Sequence, residues 1–143
     1  MRYLLDTNVL SEIRKPRGDE GVKRWISSTA ADSLYVSVLV VAEIRRGVER
    51  LERRDSEQTA VYETWLDTVL RDYAGRILSV DVDAADEWGR MSVPDPVPVV
   101  DGLMAATAKV RGMTFVTRNT ADVERTGVAL LDPFSNNGAS STT

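Results

Sequence analysis

The sequence predicts an α/β protein built on a five-stranded parallel sheet with helices on both faces. Three observations predict it. Five short apolar runs, at residues 3–5, 33–36, 77–80, 114–117 and 128–131, each border turn or capping residues. Most are separated by stretches long enough for a crossover helix, which parallel neighbours require and which turns right-handed in nearly every case. Between them, apolar residues recur at helical spacing rather than in alternation. In sheets of this kind, ligands bind beyond the carboxyl ends of the strands.

The elements follow in order. Tyr3-Leu4-Leu5 stops at Asp6-Thr7-Asn8, and Val9, Leu10 and Ile13 then mark a helix. Pro16 and Gly18 break the chain before a second helix over 19–28, with Val22, Trp25 and Ile26 on one side. The strand at 33–36 runs into Ser37, a good N-cap for a helix from Val38 to about Arg50 that carries Glu43. Asp55 and Gln58 have capping-box spacing and open a long helix with Val61, Tyr62, Trp65, Leu66, Val69, Leu70 and Tyr73 on a wide apolar face. Such a face belongs to the core or to a partner surface. After the strand at 77–80, a helix over 83–91 is centred on Trp88. Pro94, Pro96 and Pro98 hold the next loop extended and deliver Asp101 to the start of a small-residue helix, Leu103-Met104-Ala105-Ala106-Thr107-Ala108. The strand at 114–117 ends in Arg118-Asn119-Thr120-Ala121-Asp122, and a last strand precedes Asp132-Pro133.

Of 143 residues, 1–134 read as one domain and 135–143, which are small and mostly polar, as a disordered tail. The chain contains no Cys and no His. The first excludes a disulfide scaffold and thiolate metal sites. The second removes the commonest general acid-base, so chemistry at neutral pH falls to Lys, Tyr, Ser or to carboxylates that hold a metal. No apolar run approaches the ~18 residues of a membrane span, and the expected location is cytoplasmic.

The formal charge of -4 argues against broad, non-specific nucleic-acid binding. Arg nevertheless clusters at Arg14 and Arg17 with Lys15, at Arg24 with Lys23, and at Arg45, Arg46, Arg50, Arg53 and Arg54. The guanidinium fork matches phosphate oxygens; solvated faces paired with Glu49, Glu52 and Asp55 are the plainer explanation.

Asp6, Glu43 and Asp101 each stand where a strand or new helix meets the same sheet edge, with Asn119 and Asp122 in a turn that follows a strand. Two unit charges ~4 Å apart repel by about 4 kcal/mol at an effective dielectric near 20, so gathered carboxylates must take up protons, splay or bind a cation. Hard oxygen donors without His or thiolate suit Mg²⁺ or Mn²⁺, which accept a substrate phosphate as a further ligand. Phosphodiester hydrolysis is the reaction that such a set supports. Asp6 and Asp101 are also reasonable helix caps. Glu43, among Val40, Val41, Ala42 and Ile44, is the least comfortable as a structural residue. The acids Asp81, Asp83, Asp86 and Glu87 sit at a helix start, where the macrodipole favours them.

Other sites fail. Neither G-x-G-x-x-G nor a P-loop is present, and zinc-protease motifs need His. A haloacid-dehalogenase phosphatase needs a second Asp where Asn8 stands, and a response-regulator receiver needs paired acids where Asp6 is single.

Four segments resemble the signature segments of PIN domains: Leu4-Leu5-Asp6-Thr7-Asn8-Val9-Leu10-Ser11-Glu12; Val36-Ser37 with Ala42-Glu43-Ile44-Arg45-Arg46-Gly47; Val100-Asp101-Gly102-Leu103-Met104-Ala105-Ala106-Thr107-Ala108; and Thr117-Arg118-Asn119. They are most similar to the VapC toxins of toxin-antitoxin modules and to FitB-like proteins. The resemblance implies a three-layer fold and a Mg²⁺- or Mn²⁺-dependent endoribonuclease acting on RNA. It makes Asp6, Glu43 and Asp101 the catalytic, metal-binding acids. Where some members have an acid after Thr-Arg, this chain has Asn119, whose amide oxygen can ligate or orient a water; Asp122 can reach in from the same turn. Thr7, Ser37 and Thr117 become supporting hydroxyls. A homodimer is implied, as is a cognate VapB-like antitoxin, with a larger assembly on DNA as an extension. The rival from another class is a non-catalytic, FitB-like regulatory subunit of an antitoxin-DNA complex; a DNA nuclease of the same fold is a third reading.

Overall fold

The structure is a computed structural model and describes residues 1–135. Five strands, β1 (Tyr3–Leu5), β2 (Leu34–Ser37), β3 (Ile77–Leu78), β4 (Thr114–Val116) and β5 (Ala129–Leu131), form one sheet in the order β3-β2-β1-β4-β5. Every neighbouring pair is parallel. The helices are α1 (Thr7–Arg14), α2 (Glu20–Ser27), α3 (Val38–Leu51), α4 (Ser56–Asp72), α5 (Val82–Met91), α6 (Val99–Val110) and the short α7 (Thr120–Val123).

This strand order assigns the layers. The chain moves outward from β1 to β2 to β3, then returns across β1 to β4 and β5. Right-handed crossovers place α1 to α4 on one face of the sheet and α5 to α7 on the other. The helix contacts agree, since α1 meets α2 and α3, α3 meets α4, and α6 meets α5 and α7. The reversal between β1 and β4 is the switch point at which such sheets open a cleft.

Local chemistry starts the helices where capping residues stand. Asp19 accepts from the Val22 N–H at 3.1 Å, Ser37 from Leu39 at 3.0 Å, and Asp81 from Ala84 at 3.0 Å. Asp55 accepts from both Glu57 and Gln58, at 3.1 and 3.2 Å. Leu4, Leu5, Val36, Phe115 and Val116 of the central strands are buried on both sides, by Val9, Val40 and Ile44 from the α1–α4 layer and by Met104, Ala105 and Ala108 of α6. Alanines on α6 let that helix approach the sheet closely.

Two boundaries differ from expectation. The third strand has two residues rather than four, because it is an edge with one neighbour, β2. Helix α6 starts at Val99 with Pro98 at its N-cap, so Asp101 lies inside the first turn and is not the cap. The fixed φ of Pro98, -50°, suits helix entry, and α6 starts there without a side-chain cap. The expected tail lies outside the described residues except for Ser135. That residue is anchored: its N–H and hydroxyl donate to Asp19 at 2.9 and 2.7 Å.

Candidate metal and nuclease site

The register of the sheet builds the site. Leu5 pairs with Val36 on one side and Val116 on the other, so Asp6, Ser37 and Thr117 leave the sheet at one edge. A cavity of about 350 Å³ opens there, lined by Asp6, Thr7, Asn8, Glu43, Asp101 and Asn119, with Ser11, Ile44, Tyr62 and Trp65 completing its wall. The three acids read from sequence, with Asn119, therefore meet in one pocket. Asp122 does not line it; exposed on α7, it acts on Asp101 from outside.

Asp6 is the most constrained member. Only 4% exposed, it accepts from the Thr7 N–H at 2.7 Å through Oδ1, and from the Thr117 hydroxyl at 2.7 Å and the Asn8 amide at 3.3 Å through Oδ2. It is both the N-cap of α1 and a wall of the pocket, so the two sequence readings hold together. Burial raises its pKa to about 6, with Asp101 and Glu43 adding repulsion, and the Thr117 and Thr7 donors hold it from rising further.

Asp101, half-buried, is also raised above the usual carboxylate range, first by burial and then by Asp122 and Glu43; the Asn119 amide beside it favours the charged form. Glu43 corrects the sequence reading. The phase of α3 turns Val40 and Ile44 inward and leaves Glu43 on the exposed rim, so it bears no burial cost among its apolar neighbours. Its Oε1 accepts from the Thr7 hydroxyl at 2.6 Å, which ties α3 to α1.

The Thr7 and Thr117 hydroxyls thus donate to Glu43 and Asp6. The Ser37 oxygen caps α3 and so fixes the helix that presents Glu43. Asn8 joins the pocket without being among the residues expected there. Its amide group reaches Asp6, and its Oδ1 accepts from the Arg118 N–H at 3.4 Å, stitching the two strand ends together. Spacing gave the signal, since Asn8 follows Asp6 by two. Tyr62 and Trp65 gave none, because nothing local tells a core aromatic from one at a pocket wall. Arg118 turns away and stacks on Phe134, 4.9 Å from the ring centre.

Among the described residues, no three acidic side chains are gathered closely enough to form a ready metal cage. The donor set nevertheless fits a hard cation. It contains only oxygen and amide groups, two of its carboxylates are driven toward protonation by burial and mutual repulsion, and a divalent charge relieves that conflict. Mg²⁺ keeps several waters and takes only one or two carboxylates, so a pre-formed cage is not required.

The profile of the PIN domain matches residues 3–128. The chain belongs to the PIN-domain family. It is 33% identical over 136 residues to the toxin FitB of Neisseria gonorrhoeae, covering 92% of this chain and 97% of that protein. It is 31% identical to the VapC ribonuclease Y4jK of Sinorhizobium fredii, covering 92% and 96%. Among solved structures, FitAB bound to an IR36 DNA fragment superposes with a TM-score of 0.80 at 34% identity, covering 92% of this chain and 94% of that one. In the PIN fold described here, the resemblance read from the four segments is borne out along most of the chain.

Proposed function

We propose that this protein is the toxin of a toxin-antitoxin module and acts as a metal-dependent endoribonuclease. The observation that carries the reading is a buried Asp6, fixed by donors from two strand ends and electrostatically opposed by Asp101 and Glu43, at the switch point of a PIN fold. The relatives named toxin and VapC ribonuclease support the activity, and the FitAB-DNA structure supports a cognate antitoxin partner and an assembly on DNA. No helix among the described residues is long and apolar enough to cross a membrane.

Asp6, Asp101 and Glu43 would hold Mg²⁺ or Mn²⁺, with Asn119 contributing its amide oxygen. When bound, such an ion would supply a nucleophilic water at neutral pH and neutralise charge on the departing oxygen. The chain's own residues do the rest. Thr117, Asn8 and the Thr7 N–H fix both oxygens of Asp6, so the carboxylate is aimed before anything binds. Thr7 anchors Glu43 on the rim through its hydroxyl. Asn119, placed by its own N–H bond to the Thr117 hydroxyl at 3.0 Å, sits next to Asp101 and favours its ionised form. The Tyr62 and Trp65 wall closes one side against bulk water.

A purely regulatory subunit is not favoured, because a cap alone gives no reason to bury Asp6 against two other acids. The deciding experiment is cleavage of total RNA by purified protein with and without Mn²⁺, alongside Asp6→Asn and Asp101→Asn. Metal-dependent cleavage lost in both folded variants is expected. Wild-type rates in either variant would remove these acids from the chemistry.

A further inference from the structure

The acids account for cutting but not for how a strand reaches them. Helix α3 offers an answer in its exposed arginines. Arg45, Arg46, Arg50, Arg53 and Arg54 are all exposed, and among the described residues none lies within 4.0 Å of a carboxylate. Glu49 stands four and three residues beyond Arg45 and Arg46, a suitable helical offset, and still does not pair with them. The expectation that these clusters are neutralised helix faces therefore fails here.

Their placement is ordered relative to the site. Arg46 and Arg50 follow Glu43 by three and seven residues, one and two turns along one side of α3. With a rise of ~1.5 Å per residue, the row extends about 10 Å from the rim of the pocket. Arg53 and Arg54 continue beyond the helix end. Glu43 forms no ion pair with the row, its Oε1 accepting instead from the Thr7 hydroxyl. Arg46 and Arg50 are also like charges at i,i+4, an arrangement that weakens an isolated helix. The helix dipole favours Arg50 in the last turn but not Arg46 earlier. A polyanion laid along the row resolves the repulsion.

We propose that the face of α3 carrying Arg46 and Arg50 is a phosphate track that leads single-stranded RNA to the acidic pocket. This rests on the RNA-cleaving reading of that pocket. A second copy of the chain is a poor occupant, because an isologous interface would set arginines against arginines. The protein's overall charge of -4 repels nucleic acid elsewhere, so an unpaired cationic row starting at the site decides where the strand lies.

The test is fluorescence anisotropy of a labelled single-stranded RNA of about 12 nucleotides, in EDTA, across a salt series. Each phosphate contact on a single strand contributes about 0.7 to the slope of log K against log salt, so Arg46→Gln with Arg50→Gln should lower the slope by about 1.4 and weaken every sequence alike. Arg24→Gln with Arg90→Gln removes the same charge from exposed, paired positions and should leave the slope unchanged. An unchanged slope in the α3 variant, or an equal drop in both, would overturn the track. So would an intact slope with altered mass by light scattering, or with lost co-purification of the antitoxin, either of which gives the face to a protein. RNA that binds through the track yet is not cut on adding Mn²⁺ sinks the nuclease reading and spares the track; normal cutting with an unchanged slope does the reverse.

Discussion

The Thr117 hydroxyl donates to the Asp6 carboxylate over 2.7 Å, joining the end of β4 to the end of β1 across 111 residues of sequence. The same oxygen accepts the Asn119 N–H at 3.0 Å. One hydroxyl thus aims a buried acid and shapes the turn that brings Asn119 to Asp101.

Removing that hydroxyl should be costly out of proportion to its size. Thr117→Val takes a donor from Asp6 and an acceptor from Asn119, while Thr117→Ser keeps both. Loss of such a partner around a metal site costs roughly 10- to 100-fold in affinity or activity. Calorimetric Mn²⁺ titration and RNA cleavage should show that loss in the Val variant and near-normal behaviour in the Ser variant. Equal behaviour of the two would show that the bond is idle.

Asp6 predicts an unusual pH term in stability. Its pKa is about 6 when folded and near 3.9 in an unfolded chain, so the folded state holds the proton more tightly. The stabilisation is complete below about 4 and is lost as pH rises through about 6, amounting to roughly 3 kcal/mol. In EDTA, Asp6→Asn should gain stability relative to wild type over that window and hold a constant advantage above it. Melting curves at half-unit pH steps provide the readout, and a flat difference from pH 4 to 7 would contradict it.

Gly102 is a packing constraint beside Asp101. A Cβ there would come within 2.8 Å of the Trp88 ring and of Val97. Gly102→Ala gains helix propensity of about 1 kcal/mol but forces α5 and α6 apart, at a cost of roughly 1–3 kcal/mol. We expect a net loss of stability with a shift in Trp fluorescence, since the buried Trp88 Nε1 has no hydrogen-bond partner among the described residues and its ring packs against Gly102. A stabilised variant would mean that the helices yield freely.

Asp19 holds two distant segments. It caps α2 through Val22 and receives both Ser135 bonds, and those bonds lower its pKa despite some burial. Its contribution is therefore present at neutral pH and disappears as pH falls through its folded value. Asp19→Ala should cost about 1–2 kcal/mol at pH 7 and expose the segment 133–135 to proteolysis. A digestion pattern like that of wild type would show that Phe134, 3% exposed, anchors this end unaided.

Much of this was legible before any coordinates. Strand ends were marked by Asp6, Ser37 and Thr117, and the convergence of Asp6, Glu43 and Asp101 followed from placing strands in a parallel sheet. The rest depends on three-dimensional packing. Glu43 reads as buried from its apolar neighbours in sequence, whereas helix phase leaves it exposed. Asp101 follows three prolines and so reads as a cap, whereas Pro98 takes the N-cap and puts Asp101 within the first turn. Tyr62 and Trp65 reach the pocket through the packing of α4 on α3, which no local pattern encodes.

The reversal of strand order at β1 has a consequence for synthesis. The pocket needs β4 docked beside β1, and all of α1 to α6 lies between them in the chain. The pocket is thus assembled late in synthesis, after every helix of the α1–α4 layer has been made.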